Sequence, residues 1–153
     1  MSETETAMSE SETALSDTKK TSSAKKATQE SLPRFHALQL GDSVAVQRSF
    51  DRQALAEWGR LANVGGTCGE VPEPLIAGLF SYLLGEELPG HGTNYLKQHM
   101  RFHALAQPGE LLTATVAVTR RRPDKALVNL QTRCTGDGGR LICDGDALVL
   151  FQC

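Results

Sequence analysis

His99 and His103 carry proton-transfer and metal-binding chemistry and stand four positions apart. On an extended strand, rising about 3.3 Å per residue, that spacing separates them by ~13 Å. They cannot share one zinc ion, and a solvated sheet face or a subunit contact accounts for them. Arg120, Arg121 and Arg122 stand together at a hairpin end, where guanidinium groups could hold phosphates or simply form a charged turn. Carboxylates bracket an apolar stretch, Glu70 and Glu73 before it and Glu86 and Glu87 after it. Glu73 at a helix N-terminus favours the helix dipole, and a carboxylate beside a buried helix could also act as a general base. His91 lies in a glycine-rich turn and reads as a turn residue before a catalyst. Glu70, Glu73 and His91 are thus the acid–base candidates, each without a partner in view.

The element that must position them is Pro74-Leu75-Ile76-Ala77-Gly78-Leu79-Phe80-Ser81-Tyr82-Leu83-Leu84-Gly85. Pro74 suits the first helical position, where its missing N–H is no loss, and Gly85 supplies a stop. Only Ser81 and the Tyr82 hydroxyl bring polar atoms, which predicts a helix buried all round. It is too short to span a bilayer, which needs roughly 20 residues. The first amides of such a helix lack helical partners and carry partial positive charge, a ready site for a polarised carbonyl oxygen. Gly78 would let a ligand approach the backbone, or let a strand pack tightly on the helix.

The rest of the chain supplies a sheet to wrap this helix. Residues 1–31 are Ser, Thr, Glu, Ala and Lys with almost no large apolar side chain, which predicts a disordered polar tail. Order is expected from Leu32, and residues 32–153 read as one domain. Val44, Val46 and Phe50 alternate as in a half-buried strand. Asp51 then caps a helix whose Ala54, Leu55, Trp58, Leu61 and Ala62 can lay one apolar stripe on a core. Asn63 to Glu73 is a glycine-rich loop. Strands follow over Thr93–Ala106, with Leu96, Met100, Phe102 and Ala104 on one face, then Leu111–Arg120, Ala126–Thr135 and Arg140–Phe151. One strand, two helices and an antiparallel meander make an α+β pattern.

The net charge of -2 argues against a nucleic-acid binder driven by phosphate contacts. An acidic, polar N-terminus without an apolar core predicts neither a secretory nor an organelle signal. Cys68, Cys134, Cys143 and Cys153 lack C-x-x-C spacing and scaffold density, so reduced thiols in a cytoplasmic protein are expected. Cys134 and Cys143 flank Gly136-Asp137-Gly138-Gly139. They would face each other only if Gly138-Gly139 were a two-residue turn, and a four-residue loop would set Cys134 opposite Leu141. No metal or cofactor site is expected.

The order of motifs resembles the MaoC-like hydratases, the (R)-specific enoyl-CoA hydratases and 3-hydroxyacyl thioester dehydratases. The matching residues are Ser49-Phe50-Asp51, Leu75-Ile76-Ala77-Gly78-Leu79-Phe80, Leu88-Pro89-Gly90-His91-Gly92-Thr93 and Tyr95-Leu96. Arg101-Phe102, Pro108-Gly109-Glu110, Pro123-Asp124-Lys125-Ala126-Leu127-Val128 and Cys134-Thr135-Gly136-Asp137-Gly138-Gly139 extend the match to about residues 38–151. The resemblance implies a hot dog fold, an antiparallel sheet around a long central helix, with two subunits pairing their sheets as a homodimer or a heterodimer with a related subunit. It implies binding of acyl thioesters of coenzyme A or acyl carrier protein, with the carbonyl held by backbone amides around Ala77, Gly78 and Leu79. Any phosphates held by Arg120, Arg121 and Arg122 would then be those of coenzyme A.

The departure from the family is equally plain. Members carry an aspartate and a histidine in a loop of the form G-D-x-N-P-x-H before the central helix, and these handle the water and the proton at the acyl carbon. Here that loop is Asn63-Val64-Gly65-Gly66-Thr67-Cys68-Gly69-Glu70-Val71-Pro72-Glu73, with no aspartate or histidine, and the helix histidine of the family's A-H-G-M falls on Ala77. The expectation is an acyl-thioester-binding protein of degenerate catalysis. The alternatives are a hydratase or dehydratase with substitute groups, and a hot dog acyl-CoA thioesterase using Glu73.

Overall fold

The computed structural model describes residues 36–65 and 69–151. The tail 1–31, the expected start of order at Leu32, and Cys68 and Cys153 lie outside the described residues. In strand β1 (Ser43–Ser49) half-buried Val44 and Val46 alternate with exposed neighbours. Asp51 caps helix α1 (Arg52–Leu61), its carboxylate accepting the Ala54 N–H at 2.8 Å. Such a cap satisfies a first-turn donor that the helix itself cannot. The apolar stripe expected to reach the core does not do so. Leu55 alone is buried, and Leu61 is 87% exposed.

Helix α2 (Glu73–Tyr82) buries Ile76, Leu79 and Phe80, and the chain runs on through a π-helical turn, Leu83–Glu87, that buries Leu83 and Leu84. Two expectations change here. Gly85 does not stop the helix, because it sits inside that wider turn. Nor is the helix buried all round, since Pro74, Gly78, Ser81 and Tyr82 are exposed along one side. An apolar sequence tells how a helix prefers to be covered, but a single sheet covers only the side it touches.

Strands β2 (Thr93–Phe102), β3 (Leu111–Arg122), β4 (Leu127–Thr135) and β5 (Leu141–Phe151) complete an antiparallel sheet in the order β1-β3-β4-β5-β2. Alternation on β3 is strict, with Leu112, Ala114, Val116 and Val118 all buried. Val128, Leu130 and Cys134 of β4, and Ala147, Val149 and Phe151 of β5, continue that inner face beneath α2. The architecture is the α+β arrangement expected. A bulge between Tyr95 and Lys97 turns Leu96 outward, so it is 52% exposed instead of sharing the inner face with Met100 and Phe102. β2 also ends at Phe102, not Ala106, because the chain leaves the sheet for a loop that runs to Glu110.

Candidate functional site

At the start of α2 one backbone donor finds no backbone acceptor among the described residues. Pro72 precedes the helix and Pro74 occupies its second position, so neither supplies an N–H. Leu75 N–H donates to the Pro72 carbonyl at 3.0 Å. Glu73 therefore carries the first-turn amide that lies outside the helical ladder. Ala77, Gly78 and Leu79 sit one turn further in, where N–H groups are spent on carbonyls four residues back. The uncommitted amide is thus one turn earlier than the position around Gly78. Ala77 is half-buried and Leu79 packs into the core, whereas Gly78 is exposed. A Cβ on Gly78 would meet nothing within 4 Å, so tight strand packing is not what this glycine serves.

Of the acid–base candidates, Glu73 is exposed at the first helical position and Glu70 is half-buried just before it. His91 follows the far end of the helix, pairing with Glu86 at 3.3 Å. From Glu73 to the end of the π turn the axis runs about 20 Å. His91 is not brought to the carboxylates within one chain.

Arg120, Arg121 and Arg122 close the β3–β4 hairpin opposite Asn129, Val128 and Leu127. The pre-helix segment is fastened at the other end of the sheet, where Val71 N–H donates to the Ala106 carbonyl at 2.8 Å. β3 spans about 35 Å between these ends. The three arginines and the helix start are not brought together in one chain.

His99 stands on the outer face of β2 and His103 just past its end, and each meets a different acid of β5. His103 Nε2 lies 3.1 Å from Asp144 Oδ1, Arg101 reaches the same carboxylate at 3.4 Å, and His99 lies 3.8 Å from Asp146. The hydrogen bond with His103, joined by the charge of Arg101, holds the Asp144 carboxyl below its usual range. Among the described residues no group of three or more His, Cys, Asp and Glu could hold a metal, and no helix is long and apolar enough to cross a membrane.

One charged pair that residue-by-residue reading did not single out is Glu110 with Arg140. The Glu110 side chain is 5% exposed, and both its oxygens accept from Arg140 Nη2, at 2.7 and 2.8 Å. Burial raises its pKa, but the backbone N–H groups of Gln107 and Asp137 and the Arg140 guanidinium outweigh it and hold the carboxyl below its usual range. The available signal was an acid placed directly after the Pro108-Gly109 turn.

No protein-family model matches the chain. It is 45% identical over 75 residues to an (R)-specific enoyl-CoA hydratase of Aeromonas caviae, a segment covering 49% of this chain and 56% of that protein. The chain thus spans about half the length of the curated relatives it matches. The solved structure of the (R)-hydratase from A. caviae involved in PHA biosynthesis superposes with a TM-score of 0.71 and 31% identity, over 75% of this chain and 98% of that one. The fold alone is shared with the HadBC (3R)-hydroxyacyl-ACP dehydratase complex of Mycobacterium tuberculosis, at a TM-score of 0.56 and 16% identity over 74% of this chain and 98% of that one.

Proposed function

Since the chain belongs to the MaoC-like (R)-specific enoyl-CoA hydratase family of hot dog proteins, we propose that it binds acyl thioesters of coenzyme A or acyl carrier protein and is catalytically degenerate. The observation that carries this reading is the loop from Asn63 to Glu73, which has neither aspartate nor histidine, in front of a helix that keeps its place in the fold. General acid–base groups contribute typically about 10²–10⁴-fold each, so the absence of the pair removes most of the rate. The helix start supports thioester binding, because the Glu73 amide is an uncommitted donor of the kind that stabilises a polarised carbonyl oxygen. The exposed side of α2 offers a second copy or a related hot dog subunit a surface to cover.

A second reading is favoured by one observation. Glu70 lies three residues before that amide and Glu73 carries it, so an active hydratase could draw its base from them. The test is hydration of crotonyl-CoA by the purified full-length chain, followed by loss of enoyl absorbance alongside a binding measurement. Binding without turnover is expected. Turnover at a rate typical of a hydratase would overturn degeneracy, and Glu70→Gln and Glu73→Gln would then identify the base. Release of free thiol from a saturated acyl-CoA would move the protein to the thioesterases.

A further inference from the structure

We propose that Glu110 and Arg140 are positioning residues that set the start of α2 through the loop Leu105–Gln107, to which the pre-helix segment is tied, an inference that rests on the reading of that helix start as the acyl-thioester site. Glu110 accepts the N–H of Gln107 at 2.8 Å and that of Asp137 at 2.9 Å, in addition to its paired bonds with Arg140. Arg140 Nη1 donates to the Leu105 carbonyl at 2.9 Å. Gly136 completes the fit, because a Cβ there would occupy the space of the Glu110 carboxylate. The pair therefore grips Leu105 and Gln107, the residues on either side of Ala106. Ala106 is 1% exposed and accepts the N–H of Val71, itself 4% exposed and two residues before Glu73.

A buried ion pair is a poor way to gain stability, since well-packed apolar residues of similar volume serve as well or better. What the pair does supply is direction. Its hydrogen bonds fix three backbone groups at once, two of them in the one loop to which the pre-helix segment is tied. The prolines at 72 and 74 stiffen the short run between that tie and the Glu73 amide. A displacement at Leu105–Gln107 is passed to the amide instead of being absorbed by a flexible joint.

The test compares the full-length chain with the double variant Glu110→Leu/Arg140→Met, which leaves no charge unpaired, and with Val128→Ala, which weakens the far end of the sheet. Amide hydrogen exchange at Val71, crotonyl-CoA affinity and thermal unfolding are measured for each. The double variant is expected to exchange faster at Val71, whose N–H is held by the Ala106 carbonyl, and to bind roughly tenfold more weakly, with its melting temperature little changed. Val128→Ala is expected to melt earlier with exchange at Val71 unchanged. Exchange at Val71 equal to wild type in the double variant overturns the proposal, as does weakening of binding that merely follows melting temperature across the variants. If the double variant does not fold, Arg140→Lys, which keeps the charge and loses the two-pronged geometry, is judged by the same exchange measurement. If the unmodified chain does not bind crotonyl-CoA, the thioester reading fails while the exchange result still decides the positioning role.

Discussion

Cys134 on β4 and Cys143 on β5 are direct cross-strand partners, both fully buried against the core. The bond the two thiols share lowers Cys134, and that bond followed by burial pushes Cys143 far above the usual thiol range. Burial closes access to both thiols, and at Cys143 the raised pKa withholds the thiolate as well. Iodoacetamide applied to the native protein is expected to leave the peptides holding Cys134 and Cys143 unlabelled, whereas both label fully in denaturant. Rapid native labelling, mapped by mass spectrometry, would mean that the β4–β5 pair opens readily.

That pairing also shows where reading residues runs out. The strands flanking Gly136-Asp137-Gly138-Gly139 were legible, since apolar alternation marks them on both sides. Their register was not, because two turn lengths predicted two different partners for Cys134. The structure uses neither tight turn. Thr135 pairs with Leu141 across a longer loop, and a bulge at Ile142 restores Cys134 to Cys143. A bulge adds one residue to one strand without changing composition, so periodicity does not reveal it. The same effect hid the outward turn of Leu96. At the helix, Pro74 and the apolar run located the start of α2 to within one residue. The exposed side depends on what the sheet covers, a tertiary fact with no local signature. Glu110 and Arg140 stand 30 positions apart, and only the fold makes them one cluster.

Gly78 separates stability from binding. It is an exposed glycine inside a helix, and nothing lies within 4 Å of where a Cβ would stand, so alanine fits there. Gly78→Ala is expected to stabilise the protein by about 0.5–1 kcal/mol through reduced backbone entropy. If the open side of α2 accepts the thioester, the added methyl also weakens crotonyl-CoA binding. Thermal unfolding and titration calorimetry on one variant read both. A loss of stability would show that something packs closely on this glycine after all.

Glu110 ties stability to pH. Its folded pKa lies below the ordinary carboxylate value, so the ionised form is favoured by folding. Its contribution is therefore complete above the unfolded pKa and is lost as pH falls through the folded one. Urea unfolding from pH 7 down through the acid range is expected to give a falling stability whose slope flattens in Glu110→Gln. Equal acid slopes in the two proteins would show that other carboxylates govern the transition. Asp144, also held low but on the outer face of the sheet, is the control, and Asp144→Asn is expected to alter the slope less, since exposed pairs contribute little.

His91 and Glu73 stand at opposite ends of the central helix assembly, with α2 and the π turn between them. A base and an acid serving one carbonyl must both lie within hydrogen-bonding reach of it, directly or through one water. Within one chain these two cannot. His91→Ala is accordingly expected to leave crotonyl-CoA binding and any residual hydration unchanged, losing at most a surface contact with Glu86. Glu73→Gln removes a charge beside the uncommitted helix amide, so it is expected to tighten thioester binding by a few-fold as repulsion on the polarised carbonyl oxygen is relieved. A decline in residual hydration in Glu73→Gln alone would mark that carboxylate as the surviving base. A decline in both single variants would place His91 of one subunit beside Glu73 of another. Mixing the two variants would then restore activity, because each mixed dimer holds one intact site.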